Sequence, residues 1–147
     1  ILSGAVAYTR AKIVRDGRAG NGVNKGNGTP EVPRWGGTIS IDHLTPLPPA
    51  LGLTNPTLQT RLTNRYVGVR PADPQNTFDL EAYNKLDFRI GVQDRGTEIY
   101  FWADNLLDKQ YDLYGYNIPP YMPGGSDARI GAPGRGRSLG VGVHVVF

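Results

Sequence analysis

The side chains best equipped to bind something are aromatic. Tyr111, Tyr114, Tyr116 and Tyr121, with Met122, crowd into one stretch rich in Pro and Gly. Together they would make a surface able to pack on a flat ligand such as a catecholate or a porphyrin. A loop folding on its own aromatics, or a girdle at a bilayer interface, is the simpler reading. Just upstream, Asn105 and Asp108 are candidate ligand contacts. Residues of these types also end strands and cap turns through side-chain to backbone hydrogen bonds, and their position favours that role. Arg61, Arg65, Asp87 and Arg89 fall on the polar positions of alternating segments. They would either guide an anionic chelate or form a ladder of charge along a wall, and the ladder is favoured.

Other chemistry finds little support. The chain has no Cys, which removes disulfides, thiolate metal sites and Cys nucleophiles. His43 and His144 lie on different segments without clustered carboxylates, so no metal site is expected. There is no Ser-containing nucleophile elbow, no His-Glu-x-x-His and no spacing that pairs an acid with a base, so no enzyme is expected. The Gly-rich segment 16–28 would cradle phosphate only between a strand and a helix start, and Pro30 and Pro33 follow it instead. Arg135 and Arg137 lie between glycines without interleaved aromatics, a poor case for nucleic acid. A net charge of +3 over 147 residues is small and argues for no polyanionic partner.

The elements that must position these residues read as strands. Gly (20) and Pro (12) exceed a fifth of the chain and predict many turns and few long helices. No apolar run approaches the roughly 18 residues of a membrane helix. The terminal segment alternates strictly: Leu139, Val141, Val143, Val145 and Phe147 against Ser138, Gly140, Gly142, His144 and Val146. A period of two puts these sets on opposite faces of a strand. A continuous apolar face ending on a bare aromatic requires a core or a bilayer to cover it, and the bilayer is favoured.

Similar alternation predicts strands over about residues 1–14, 35–44 and 57–69, then from Leu86 to Gln93 and from Thr97 to Asn105. Asp94-Arg95-Gly96 reads as a tight hairpin. Segments 16–28 and 106–133 read as loops, the first mobile and polar. The connections at 16–34, 70–82 and 106–133 fall on one side, and those at 46–56 and 94–96 on the side of the C-terminus. Long loops on one side and shorter turns on the other is the asymmetry of outer-membrane barrels. About six strands are too few to close a barrel in hydrocarbon. The chain opens at Ile1 as if mid-strand, so a C-terminal fragment of a larger barrel is expected.

The string Phe101-Trp102-Ala103-Asp104-Asn105-Leu106-Leu107-Asp108-Lys109-Gln110-Tyr111 carries Asn-Leu-x-Asp-x-x-Tyr, with Asn105, Leu106, Asp108 and Tyr111 at the motif positions. It resembles the penultimate strand and loop of TonB-dependent outer-membrane receptors. Pro133-Gly134-Arg135 before a last strand ending in Phe147, and Val32-Pro33-Arg34-Trp35 before another strand, are similar to the same family's pattern. The resemblance implies an all-β, antiparallel, up-and-down transmembrane β-barrel segment, about six strands of a barrel of about 22. Residues 1–147 would then be the C-terminal part of the barrel domain, with the plug domain and earlier strands absent. It further implies an outer-membrane receptor of a Gram-negative bacterium for TonB-energised uptake of a metal chelate (siderophore, haem or cobalamin type) or similar nutrient. Its partners would be the lipid bilayer, the rest of the barrel and plug, the assembly machinery, and the TonB complex acting through the plug. Leu139, Val141, Val143, Val145 and Phe147 would serve as the barrel-assembly signal, read by β-augmentation at the strand's edge. The alternatives are a soluble β-sandwich or small barrel acting as a binding or adhesion module, and a multimeric barrel built from several copies.

Overall fold

A computed structural model describes residues 1–118 and 128–146. Tyr121, Met122 and Phe147 therefore lie outside the described residues. Ten strands occur in chain order: β1 (Leu2–Tyr8), β2 (Trp35–Pro46), β3 (Thr57–Val67), β4 (Arg70–Pro71), β5 (Asp79–Leu80), β6 (Tyr83–Asp94), β7 (Thr97–Asp104), β8 (Asp112–Ile118), β9 (Ala128–Pro133) and β10 (Ser138–Val145). Six of them form one antiparallel sheet in the order β1-β2-β3-β6-β7-β10. Each spanning strand pairs with the next one along the chain, an up-and-down meander. The sheet is open at β1 and at β10 among the described strands.

The register converts the sequence alternation into two faces. Val141 lies opposite Phe101, Phe101 opposite Ile90, Ile90 opposite Thr60, and Thr60 opposite His43. That row belongs to an apolar face, which also carries Leu62, Ile41 and Leu2. The opposite face carries Asp42, Arg61, Arg89 and Trp102 in mutual register. A slip of one residue in any pairing would send its apolar set to the polar side, which is why the alternation specifies the register so strongly.

No second layer covers the apolar face. Among the described residues the only buried hydrophobic side chains are Ala72, Leu80 and Ala103, while Val6 is 77% and Val141 73% exposed. Leaving a Val, Leu or Ile in water forgoes about 1.5–3 kcal/mol of burial each. A soluble sandwich would bury these positions against a facing sheet. The single sheet does not, so the sandwich expectation is set aside. A lipid phase is the environment this face fits.

The connections differ from expectation at three places. Regular pairing of the first strand ends at Tyr8 rather than near residue 14, because Pro30 and Pro33 interrupt the partner segment; a single bridge, Lys12 to Gly28, continues it. The 16–28 segment is tied down rather than free: the Gly28 N–H donates to Asn76 Oδ1 at 2.7 Å, and Asn76 Nδ2 donates back to the Gly28 carbonyl at 3.0 Å. The 106–133 stretch, expected as loop, contains the hairpin β8–β9. Its alternation was hidden by Gly115 and by the register shift between Asp112 and Tyr114.

The short turn is as expected. Arg95 (φ 46°) and Gly96 (φ 80°) both take positive φ between the paired Asp94 and Thr97, the two-residue turn whose twist matches that of the strands. Asp94 also accepts the N–H groups of Thr54 and Asn55 at 3.0 and 2.9 Å, fastening the neighbouring 47–56 connection to it.

Candidate functional site

The turn after β7 is built by one side chain. Asn105 is fully buried at φ 53°, a conformation Asn tolerates better than most residues. Its N–H donates to Asp87 Oδ1 at 3.0 Å, and its Nδ2 donates to the carbonyls of Lys109 and Arg135 at 3.0 and 3.2 Å. Its Oδ1 accepts the Lys109 N–H at 2.9 Å. Asp108 accepts the Arg137 N–H at 2.8 Å, and the Leu106 N–H donates to the Leu86 carbonyl. These bonds link the end of β7 to the approach to β10. They leave Asn105 no free group to offer a ligand.

Tyr111 follows and is also engaged. Its ring stacks on Tyr83 at 4.2 Å between centroids, and a Cβ at Gly134 would collide with it. Tyr83, Tyr111, Asp108, Lys109, Glu81 and Asp112 border a cleft of about 710 Å³. Tyr114 and Tyr116 stand on β8 opposite Ala132 and Ile130, half-exposed and pointing the same way. Gly115, between them, faces the opposite way and lies against the Phe78 ring, over which Arg129 is stacked at 5.1 Å. The structure thus separates the tyrosines: Tyr111 is packed into the fold, whereas Tyr114 and Tyr116 present free ring surface.

Two residues that sequence reasoning passed over hold this end together. Arg70 is almost fully buried and donates to the carbonyls of Glu81, Asp112 and Leu113, with Tyr83 beneath its guanidinium at 5.5 Å. It clamps the β4–β5 connection to the β8–β9 hairpin. Asn76 joins the same connection to the first one through its two bonds with Gly28. All three long connections therefore interlock through β4–β5 at one end of the sheet. A second cleft of about 500 Å³ opens there, bordered by Arg34, Arg70, Asp79 and Asn76. Nothing in the spacing around Arg70 or Asn76 marks them in advance, because their partners are backbone groups distant in sequence.

The polar face is a wall of paired charge. Arg61 bonds Asp42, Lys85 meets Asp104 at 2.6 Å and Asp87 at 3.5 Å, and Arg89 reaches both Glu98 oxygens at 2.8 Å. Arg65 has no ion-pair partner among the described residues. The Arg89 guanidinium also lies 3.7 Å over the Tyr100 ring. On the other side of that ring is Gly142, where a Cβ would come within 2.4 Å of it, and Trp102 lies likewise over Gly140. Two large rings of β7 therefore lie across the bare backbone of β10. Leu139, Val141 and Val143 project from the opposite face of β10 and are exposed, and Val145 is half-exposed. Among the described residues no three His, Cys, Asp or Glu side chains gather as a metal site. His43 bonds Thr45 at 2.7 Å.

No protein-family model matches the chain. The pesticin receptor of Yersinia pestis is 29% identical over 123 residues, which cover 83% of this chain and 16% of that receptor. The pesticin receptor of Yersinia enterocolitica matches to the same extent. The solved ferric yersiniabactin uptake receptor FyuA from Yersinia pestis superposes with a TM-score of 0.69 at 27% identity, over 84% of this chain and 18% of that one. The chain thus spans less than a fifth of the length of the receptors it matches. Those relatives are receptors and not enzymes.

Proposed function

From homology to TonB-dependent outer-membrane receptors over most of the chain, we propose that these residues are the C-terminal part of the barrel of an uptake receptor for a metal chelate or similar nutrient. The homology supports reading the chain as a β-barrel receptor segment of the outer membrane of a Gram-negative bacterium. The observation that carries the finer reading is the two-faced single-layer sheet. Its apolar face is uncovered and its other face is lined with paired charge, and it superposes on a ferric chelate uptake receptor. Further strands of the protein close the barrel at β1 and β10, since an open edge is not tolerated in hydrocarbon. A plug domain fills the lumen against the charged wall, and the TonB complex acts through that plug.

The interlocked long connections face outside, as long loops do in such barrels. Tyr114 and Tyr116 offer aromatic surface to the ligand there. Tyr111 positions the β8–β9 hairpin that carries them. Leu139, Val141, Val143, Val145 and Phe147 form the assembly signal. Deleting Phe147 lowers insertion more than Val146→Ala, and equal insertion of the two variants contradicts that role.

The test of the uptake reading is transport by intact cells. Ferric yersiniabactin, the cargo named for the solved relative, is the first probe, followed by other iron chelates and haem. Deleting the gene abolishes uptake of one of them, and a protonophore abolishes it in the parent strain. Undiminished uptake of every probe in the deletion strain contradicts the reading.

A further inference from the structure

The chain's positive charge is concentrated in one connection. Residues 9–34 hold six basic side chains, Arg10, Lys12, Arg15, Arg18, Lys25 and Arg34, against only Asp16 and Glu31. Their net charge of +4 exceeds the +3 of the entire chain. All six are exposed, and none forms an ion pair among the described residues. Cations left unpaired on a surface are available to an outside partner.

Where they sit identifies that partner. Tyr8 and Trp35 lie on the apolar face at the end of β1 and β2, their rings 4.8 Å apart, with Tyr66 near them on the same face. Aromatic side chains at the end of an apolar band mark the level of the headgroups. Beyond Tyr8 the backbone stays extended. Thr9 donates to Arg34, Ala11 accepts from Thr29, and Ile13 donates to Asn27. Because the odd residues keep their bonds to the partner segment, the even residues Arg10 and Lys12 remain in phase with Tyr8 and stay exposed, immediately past the aromatic pair and at the rim of the second cleft.

We propose that Arg10 and Lys12, supported by Arg15 and Arg18, bind the phosphate groups of the outer-leaflet glycolipid that surrounds the barrel. The proposal uses the membrane placement given above but not the uptake activity. A phosphorylated sugar headgroup presents several anionic oxygens at this depth, and the cations reach it from the segment just past the end of β1. Interfacial attraction of this kind amounts to about fivefold in affinity for each cation at the surface and weakens with salt.

The receptor purified from outer membranes is titrated in detergent with fluorescently labelled bisphosphorylated lipid A and with its dephosphorylated form. The parent binds the phosphorylated lipid in preference. The double variant Arg10→Gln/Lys12→Gln weakens that binding on the order of tenfold or more. Arg95→Gln, an equal loss of charge per site at the opposite end of the sheet, leaves it unchanged. Arg10→Lys/Lys12→Arg, which keeps the charge, retains binding and shows that the fold is intact. The proposal is overturned if Arg10→Gln/Lys12→Gln binds like the parent, if Arg95→Gln weakens binding as much, or if both lipids bind equally. Displacement of the lipid by millimolar inorganic phosphate overturns it too, since the site would then take a free anion. Uptake of ferric yersiniabactin is measured separately. Its loss or persistence decides the transport reading and leaves the lipid result standing.

Discussion

At the scale of single residues, contacts between a ring and a bare backbone fix the position of β10. Tyr100 lies between the Arg89 guanidinium and Gly142, and also beside Gly91 of β6, so glycine flanks it on both neighbouring strands. Gly142→Leu inserts a side chain where the ring lies, and overpacking of this kind costs about 1–3 kcal/mol. The expected result is a lower urea midpoint for the folded form, followed by its heat-modifiable mobility on gels. Gly142→Leu combined with Tyr100→Ala recovers most of that loss; simple additivity would show that the ring and the glycine do not meet. Asn105→Ala strips three side-chain hydrogen bonds from a buried turn and places Ala at positive φ. Leaving such groups unpaired costs about 1–3 kcal/mol per group. A folded fraction indistinguishable from the parent would contradict the account of the turn.

At the scale of elements, the three long connections behave as one body hinged on Arg70 and Asn76. Arg70→Met removes the clamp between β4–β5 and the β8–β9 hairpin. The predicted outcome is proteolytic cleavage within the connections while the strands stay protected; unchanged cleavage rates would contradict the interlock. At the other end, the N–H groups of Thr54 and Asn55 hold the Asp94 carboxyl below the usual carboxylate range. Asp94 lies beyond Val92, the last apolar residue of β6, and so outside the membrane band. A depressed folded pKa means that this tie is fully present above the ordinary carboxylate value and is lost as pH falls through the depressed one. Amide exchange at Thr54 and Asn55 therefore stays slow through mildly acidic pH and accelerates only below it. In Asp94→Asn that acid dependence disappears.

These elements also show how far the sequence could be read. The six spanning strands, their faces and the sidedness of the connections were legible because a period of two survives wherever one face is apolar. The β8–β9 hairpin was not, because Gly115 leaves a gap in its pattern where the Phe78 ring sits. Arg70 gave no signal, since its partners are carbonyl groups that any residue could supply. Tyr111 and Tyr114 looked alike in sequence and differ in the fold, because only Tyr111 finds Tyr83 and Gly134 across the cleft.

At the scale of the whole molecule, the account rests on the environment of the two faces. In the proposed barrel, lipid would meet Ile99, Val141 and Val143 on the apolar face, while Gln59, Thr63 and His144 on the other face would line a polar lumen. These residues hold no Cys, so each introduced Cys is the only one among them, and the parent labelled in the same way sets the background. The most direct measurement introduces Cys at each of those six positions in the intact receptor in outer membranes. Each is then labelled with an environment-sensitive maleimide and quenched with a nitroxide lipid. The account predicts strong lipid quenching at 99, 141 and 143 and weak quenching at 59, 63 and 144. Equal quenching of the two sets, or quenching confined to the polar set, would contradict it.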